Sequence, residues 1–256
     1  MKTQLLLIFG LTFFLSGCAG PDVYAPLCCD DPGRVEQGFV EETERGYPYA
    51  FAIYLPPCYD EEPDREYPVL YLFPGRMGGP GDWFAVGAAD LASEMILAGE
   101  LPPLIMIGVE NTDSDLMADD FLSDMLPYAE ANYRIIEDGR YHAAAGGSLG
   151  GTPSYRLAFR FPDQFTSVGM FGSGAISGEE AQIREWLDAI PARQRPRVFL
   201  NTGFGDPHML DRAQVMISIL DEYGMEHAEI FTDGAHNYGY WSTNFRAYLE
   251  WLVEPW

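Results

Sequence analysis

Basic residues are scarce in this sequence, and lysine is almost absent. The 256 residues include 15 arginines and lysines against 39 aspartates and glutamates, which gives a formal net charge of −24, and the only lysine is Lys2. A surface of this charge repels the phosphate backbone of nucleic acids and anionic lipid head groups. We therefore expect no nucleic-acid partner.

Histidine and cysteine are also few, which limits the metal chemistry that the chain could support. The sequence contains four of each, no His-Glu-x-x-His motif and no cysteine pair with zinc-ligand spacing. We therefore expect neither a metal nor a cofactor. In an oxidising compartment Cys58 could pair with either Cys28 or Cys29, and the sequence leaves this choice open.

The sequence has no apolar run long enough to span a bilayer, but it begins with a short one. Leu5–Leu15 follows the positive charge of Lys2, as in a secretory signal. The next residues, Ser16-Gly17-Cys18, complete a pattern that resembles the bacterial lipobox, in which the cysteine is lipidated and becomes the new N-terminus. We predict a signal peptide over residues 1–17 and a lipid anchor on Cys18; the alternative is an ordinary signal peptide with an incidental cysteine. The protein would then be exported and anchored to the bacterial cell envelope, on its periplasmic or outer-surface side.

The rest of the chain predicts a tether followed by one α/β domain. Residues 18–35 are rich in proline, aspartate and cysteine and lack periodicity, which is typical of a linker. In residues 36–256, short apolar segments such as Val69–Phe73 and Leu104–Val109 alternate with segments of helical spacing such as Phe121–Asn132. This alternation predicts a mostly parallel sheet covered by helices on both faces, with ligands bound at the carboxyl ends of the strands.

A Gly-x-Ser-x-Gly motif at residues 146–150 marks the candidate nucleophile, Ser148. The motif follows a short apolar strand and precedes a predicted helix, which is the setting of the nucleophile elbow in α/β-hydrolases. Glycine on either side of the serine avoids collisions in the sharp turn. The helix N-terminus then directs partial positive charge toward the serine and the oxyanion formed from it.

A serine hydroxyl needs an adjacent base, and His236 is the best placed of the four histidines. His236 follows the last predicted strand and precedes the last helix, which fits the chain order serine, acid, histidine. The acid should follow the strand before that one, where Asp206 lies in the exit loop. The alternatives are Asp211, already inside the next helix, and a purely structural helix N-cap role for Asp206.

Two backbone N–H groups should bind the oxyanion of the tetrahedral intermediate. One belongs to Leu149, the residue after the nucleophile. The other should come from the glycine-rich loop after Val69–Phe73, where Arg76 is the expected donor. The side chain of Arg76 is either a contact for an anionic part of the substrate or a solvated arginine.

Several blocks of this sequence resemble one esterase family, which contains esterase D, feruloyl and acetylxylan esterases of carbohydrate esterase family 1, enterochelin esterases and the antigen 85 mycolyltransferases. The similar blocks, which lie within residues 40–253, are Tyr67–Gly75 with Gly79 and Trp83, Phe121–Tyr133, Ala145–Gly151, and Gly234–His236 with Trp241. Asp206 and His236 follow Ser148 by 58 and 88 residues, spacings similar to those of bacterial feruloyl esterases. Two positions differ from the family pattern: Pro74 replaces a histidine beside the oxyanion loop, and Asp124 replaces a glutamate.

The resemblance implies an α/β-hydrolase fold and a serine carboxylic-ester hydrolase that works through an acyl-enzyme. It further implies a small-molecule or oligosaccharide ester substrate, as in feruloyl and acetylxylan esterases, with an enterochelin-type siderophore esterase or a non-catalytic binding lipoprotein as the alternatives. The substrate pocket would draw on aromatic residues that flank the catalytic loops. These are Trp83, Tyr238, Tyr240 and Trp241.

Overall fold

The computed structural model describes residues 22–25, 27–111 and 117–256. Within these residues the strands form one eight-stranded sheet in the order β1-β2-β4-β3-β5-β6-β7-β8. Strand β2 is antiparallel to both of its neighbours, whereas the pairs from β4 through β8 are parallel. The strands are β1 Arg34–Val40, β2 Tyr49–Leu55, β3 Val69–Phe73, β4 Ile105–Val109, β5 His142–Gly147, β6 Ser167–Phe171, β7 Arg197–Gly203 and β8 His227–Thr232.

Helices connect the parallel strands and cover both faces of the sheet. None of the helices in the described part of the chain is long and apolar enough to cross a bilayer. The α-helices are α1 Asp82–Ala85, α2 Ala88–Leu97, α3 Met117–Asp120, α4 Leu126–Asn132, α5 Gly151–Arg160, α6 Glu180–Ala189, α7 Pro207–Glu222, α8 Tyr238–Thr243 and α9 Phe245–Val253.

The continuous apolar runs of the inner strands are explained by burial on both faces. In β3, Val69 and Tyr71 belong to one core cluster and Leu70 and Leu72 to the other, because successive side chains point to opposite faces. Strand β5 lies at the centre of the parallel region, and its residues are all buried. The motif that follows β5 is therefore held at the middle of the sheet's carboxyl edge.

Two helices that the sequence predicts as continuous are interrupted. The segment Phe121–Asn132 is a π-helical turn, Phe121–Met125, followed by α4, which has Pro127 in its first turn. Proline cannot donate the backbone hydrogen bond of a regular helix, so the register changes at this point. The last helix, which the sequence predicts over Tyr240–Val253, breaks at Asn244, whose backbone angles are not helical, and this residue separates α8 from α9.

The described part of the N-terminal segment, which the sequence predicts as a tether over residues 18–35, contacts the domain. Strand β1 begins at Arg34, inside that range, and pairs with β2; its largely exposed side chains explain why hydrophobic patterning did not reveal it. Val23 is 5 % exposed and packs against the domain. A disulfide joins Cys29 to Cys58 and leaves Cys28 as an exposed thiol, so the described part of the segment is fastened to the domain. The predicted signal peptide and Cys18 lie outside the described residues.

Candidate active site

Ser148 stands at a sharp turn between β5 and α5. Its φ angle is +54°, in the left-handed region that non-glycine residues seldom adopt. A Cβ atom at Gly146 would lie 2.2 Å from the backbone of Gly150, and one at Gly150 would lie 2.4 Å from the carbonyl oxygen of Phe73. The two outer glycines of the motif are thus required by close backbone approach, and the turn presents the serine side chain beyond the end of the sheet.

The side chains of Ser148, His236 and Asp206 form one hydrogen-bonded chain. Nε2 of His236 lies 2.8 Å from Oγ of Ser148, and Nδ1 of His236 is hydrogen-bonded to Oδ2 of Asp206. When Nδ1 carries the proton and donates a hydrogen bond to the carboxylate, Nε2 has no proton and can accept the one from the serine hydroxyl. The loops after β7 and β8 supply the acid and the histidine, so residues far apart in sequence meet at one edge of the sheet.

The contacts of Asp206 fit both of the roles that the sequence leaves open. Its Oδ2 contacts His236. Its Oδ1 accepts a hydrogen bond from the backbone N–H of Met209 at 3.4 Å, so Asp206 is also the N-cap of α7. The carboxylate is therefore held by the helix that it caps, which fixes its orientation toward the imidazole. Asp211, the rival acid, is exposed within α7.

The glycine-rich loop after β3 lies over Ser148 and is fixed by two side chains. The N–H of Gly75 donates to Oη of Tyr238 at 2.9 Å, and Nδ2 of Asn111 donates to the carbonyl oxygens of Gly75 and Arg76. A Cβ atom at Gly75 would lie 3.7 Å from Cβ of Ser148, which shows how close the loop passes to the serine. The family histidine that Pro74 replaces is thus not needed to anchor this loop.

Neither Asn111 nor the anchoring role of Tyr238 was predicted. Asn111 follows β4, the neighbour of β3, and a polar residue after a buried parallel strand is the signal that could have identified it. Burial raises the pKa of the Tyr238 phenol, and the nearby Asp82 carboxylate raises it further, although the Gly75 N–H opposes this. The phenol therefore stays protonated and can accept from Gly75 while it donates elsewhere.

Ser148 borders an open cavity of about 520 Å³. Of the aromatic residues predicted to line the pocket, Tyr238 and Trp241 do so. The rings of His236 and Trp241 meet edge to face with centroids 5.2 Å apart. The cavity is lined by Gly75, Arg76, Met77, Gly78, Asp82, Ser148, His236, Asn237, Tyr238 and Trp241.

Trp83 and Tyr240 lie behind this cavity in the core. Trp83 is 1 % exposed, and its ring packs edge to face on Tyr238 with centroids 5.3 Å apart. Trp83, predicted as a substrate contact, thus does not line this cavity: helix α1 turns its side chain inward, where it packs on Tyr238. Tyr240 is buried and its hydroxyl hydrogen-bonds to Thr232 and Asn201.

The other histidines and the second strand-terminal serine do not reach this cavity. His142 is buried with Nε2 hydrogen-bonded to the carbonyl of Ile136, and burial lowers its pKa. His227 hydrogen-bonds to the carbonyl of Met225, and His208 is exposed. Ser173 is buried beside Gly151. Each of these residues therefore has a place outside the serine–histidine–aspartate chain.

Three cysteine sulfur atoms, two of them in the N-terminal segment, form a cluster. Sγ atoms of Cys28, Cys29 and Cys58 lie within 4.8 Å of one another. The disulfide between Cys29 and Cys58 decides the pairing that the sequence left open. Because two of the three sulfurs are in the disulfide, the cluster does not offer three thiolate ligands to a metal.

Comparison with known proteins decides the family. Residues 43–252 match the family model described as "Putative esterase", which covers most of the chain. The chain belongs to this esterase family. The resemblance of its motifs implied the same family.

Two relatives found by sequence comparison align with only part of this chain. An uncharacterized protein of Corynebacterium glutamicum is 30 % identical over 145 residues, which cover 51 % of this chain and 34 % of that protein. An endo-1,4-β-xylanase/feruloyl esterase of Xylanibacter ruminicola is 25 % identical over 175 residues, which cover 62 % of this chain and 24 % of that protein. The chain thus spans about a third and a quarter of the lengths of these two relatives.

Solved structures confirm the α/β-hydrolase fold. A feruloyl esterase module from Clostridium thermocellum, complexed with sinapinate, is 18 % identical with a TM-score of 0.74 over 92 % of this chain and 93 % of that one. A ferulic acid esterase from Anaeromyces mucronatus, in complex with ferulic acid, is 15 % identical with a TM-score of 0.71 over 90 % and 95 %. An S-formylglutathione hydrolase from Agrobacterium tumefaciens is also 15 % identical, with a TM-score of 0.68 over 87 % and 95 %.

Proposed function

We propose that this esterase is a serine enzyme in which Ser148 is the nucleophile, His236 the general base and Asp206 the orienting acid. The observation that carries the proposal is the hydrogen-bonded chain from Oγ of Ser148 through the imidazole of His236 to the carboxylate of Asp206, at the rim of an open cavity. The left-handed backbone angle of Ser148 adds support, since such strain is stored at functional positions.

The reaction proceeds in two acyl transfers. Oγ of Ser148 attacks the ester carbonyl carbon while Nε2 of His236 takes its proton, and the protonated imidazole then returns that proton to the departing alcohol. In the second transfer, water attacks the carbonyl carbon of the acyl-enzyme while His236 takes its proton. The imidazole then returns that proton to Oγ of Ser148, and the carboxylic acid is released. The negative charge of Asp206 stabilises the imidazolium in both steps.

The oxyanion is bound by the backbone N–H groups of Leu149 and Arg76. Leu149 stands in the first turn after the nucleophile, where the N-terminus of α5 adds partial positive charge. Arg76 belongs to the loop that Tyr238 and Asn111 hold over Ser148. Donors fixed before the reaction need no reorganisation as charge develops on the oxygen.

The substrate is an acylated plant polysaccharide or one of its oligosaccharides, in which a feruloyl or acetyl group is the acyl part of the ester. The open cavity suits an ester that projects from a large carbohydrate, and the Tyr238 and Trp241 rings suit a planar acyl group. Relatives whose names include feruloyl esterase support this substrate class. The protein is exported and attached to the bacterial envelope by a lipid on Cys18, which mass spectrometry of the mature N-terminus would detect.

Hydrolysis assays on purified protein test the mechanism and substrate together. We expect turnover of p-nitrophenyl acetate and of methyl ferulate or acetylated xylan, and loss of turnover in Ser148→Ala. Ser173→Ala is the matched control, because this serine also ends a strand but is 1 % exposed and outside the cavity. Full activity in Ser148→Ala would refute the mechanism. Turnover of ferric enterobactin alone would indicate a siderophore esterase, and no turnover of any ester a binding protein.

A further inference from the structure

The loop after β3 brings two backbone N–H groups close to Ser148, and only one of them is free. Gly75 and Arg76 both line the cavity of Ser148. The N–H of Gly75 already donates to Oη of Tyr238 at 2.9 Å, whereas the N–H of Arg76 forms no hydrogen bond among the residues that the structure describes. The oxyanion hole therefore depends on the direction of the Arg76 N–H, which is set by the peptide that joins Gly75 to Arg76.

Asn111 binds the carbonyl groups on both sides of this N–H. Its Nδ2 donates to the carbonyl oxygen of Gly75 at 2.8 Å and also to that of Arg76. Because carbonyl oxygens only accept, the nitrogen end of the amide must face the loop, and its two N–H groups can serve both carbonyls. The Gly75 carbonyl also accepts from the N–H of Gly78 at 2.9 Å, but that bond closes a turn within the loop itself. Asn111 is thus the contact that joins the carbonyl groups of this turn to the end of β4.

Peptide geometry converts the Asn111 contact into a direction for the Arg76 N–H. The peptide bond between Gly75 and Arg76 is trans. In a planar trans peptide the C=O and N–H bonds point in opposite directions. The Gly75 carbonyl points to Asn111, which does not line the cavity. The Arg76 N–H therefore points away from Asn111 and toward the cavity that the loop shares with Ser148.

Pro74 explains why this contact has to come from another strand. Proline has no backbone N–H and its ring has no polar atom, so position 74 cannot supply the hydrogen-bonding group of the histidine that it replaces. Strand β4 is paired with β3 in the sheet, so the residue after β4 emerges beside the loop after β3. Asn111 is that polar residue, and it reaches the loop from this neighbouring strand end.

The residue before Asn111 fixes the end of β4. Oε2 of Glu110 accepts from the N–H of Ala50 in β2 at 3.1 Å, and its other oxygen is paired with Arg45. The Arg45 side chain is only 7 % exposed, and its guanidinium lies 4.3 Å from the centroids of two tyrosine rings. A buried ion pair of this kind is costly to break, so the backbone that carries Asn111 is held in place.

We propose that Asn111 is a positioning residue of the oxyanion hole, which directs the N–H of Arg76 toward the carbonyl oxygen of the substrate. It acts through the peptide between Gly75 and Arg76 and does not touch the substrate itself. It also provides the anchoring that Pro74 cannot supply. The proposal rests on the proposed serine mechanism, because that mechanism defines where the oxyanion forms.

The substitution Asn111→Asp tests this role with almost no change of side-chain size. An ionised carboxylate can only accept, yet it would face two carbonyl oxygens, so the peptide should turn away from it. We expect kcat for p-nitrophenyl acetate to fall about 100-fold, the loss typical of one missing oxyanion donor. KM should change little, since the donor acts in the transition state. Asn111→Ala should lose less, about tenfold, because water can take the place of the amide.

Asn132→Asp is the matched control. Nδ2 of Asn132 also donates to a backbone carbonyl, that of Tyr128 at 2.8 Å, but it does so on the exposed surface of α4. This variant should keep the kcat and KM of the unmodified protein. An unchanged kcat in Asn111→Asp, or an equal loss in Asn132→Asp, would overturn the proposal.

The pH dependence separates a positioning role from general damage to the fold. When the carboxyl group of the Asn111→Asp variant is protonated, it regains one donor for the loop. The ratio of its kcat to that of the unmodified protein should therefore rise as the pH is lowered from about 7 to about 5. A loss of kcat that is the same at every pH would contradict the positioning role.

Two further measurements separate this proposal from the catalytic one on which it rests. An aryl trifluoromethyl ketone adds to Oγ of Ser148 and places a negative oxygen in the oxyanion hole, so its inhibition constant should rise in Asn111→Asp by about the factor by which kcat falls. An unchanged inhibition constant would count against the role of Asn111. If Ser148→Ala is inactive while Asn111→Asp is fully active, only the present proposal fails, whereas turnover by Ser148→Ala would remove the serine mechanism itself.

Discussion

Replacing Asp206 by asparagine separates the two hydrogen bonds that its carboxylate makes. Oδ2 orients His236, and Oδ1 caps α7 through the N–H of Met209. Asparagine caps helices about as well as aspartate does, but it has no charge to stabilise the imidazolium and it disturbs the tautomer of the ring. We therefore expect catalysis to fail while the fold is kept.

The magnitudes differ enough to be measured separately. Loss of the acid from a serine–histidine–acid chain lowers kcat by about 10⁴-fold, which corresponds to about 5 kcal/mol of transition-state stabilisation. The free energy of unfolding should change by less than about 0.5 kcal/mol in Asp206→Asn. Asp206→Ala removes both hydrogen bonds, so it should lose the same activity and also about 1 kcal/mol of stability, or about 2–4 °C in Tm.

The assay pairs p-nitrophenyl acetate hydrolysis with thermal unfolding of each variant. Asp211→Asn is the matched control, because it removes the same charge from an exposed position in the same helix and should leave kcat and Tm unchanged. If Asp206→Asn hydrolysed the ester at the rate of the unmodified protein, the assignment of Asp206 as the acid would be refuted. If Asp211→Asn lost activity instead, the rival acid would be correct.

Three further predictions follow from individual contacts. In Tyr238→Phe the N–H of Gly75 loses its acceptor, so kcat should fall about tenfold with little change in KM; an unchanged kcat would contradict a role in holding the loop. Burial lowers the pKa of His142, so the neutral ring stabilises the fold fully above about pH 6.5 and this contribution is lost as the pH falls below that value. Urea unfolding at several pH values should show this slope in the unmodified protein and a smaller one in His142→Gln. Removing the disulfide in Cys29→Ala with Cys58→Ala should lower the free energy of unfolding by about 3.6 kcal/mol, because its ends are 29 residues apart; calorimetry with an unchanged Tm would contradict this.

Most of the candidate site could be predicted because its residues are tied to strand ends. The glycines around Ser148 are required by backbone distances that any such turn imposes, so they leave a motif in the sequence. Asp206 and His236 follow the last two strands of a parallel sheet, and that topology brings their loops together. Their order along the chain was therefore enough to predict that these residues lie together at the carboxyl edge of the sheet.

The pocket walls could not be predicted in the same way. Trp83 and Trp241 are both aromatic residues near catalytic loops, yet only Trp241 lines the cavity of Ser148. Which way an aromatic side chain turns depends on how α1 and α8 pack on the sheet, and neither hydrophobicity nor spacing encodes that choice. Asn111 was missed for a related reason, since its role exists only because the loop at Gly75 comes within reach of it.

The amino-acid sequence by itself determined the strand and helix alternation, the turn at Ser148 and the order of the candidate catalytic residues, because each depends on local backbone geometry or on the general topology of parallel sheets. Only the tertiary structure decided the pairing of Cys29 with Cys58, the edge strand β1, and the two contacts that hold the loop over the serine. These features join residues that are distant in the chain or exposed on its surface. The periodicity of the sequence does not predict which of these residues come into contact.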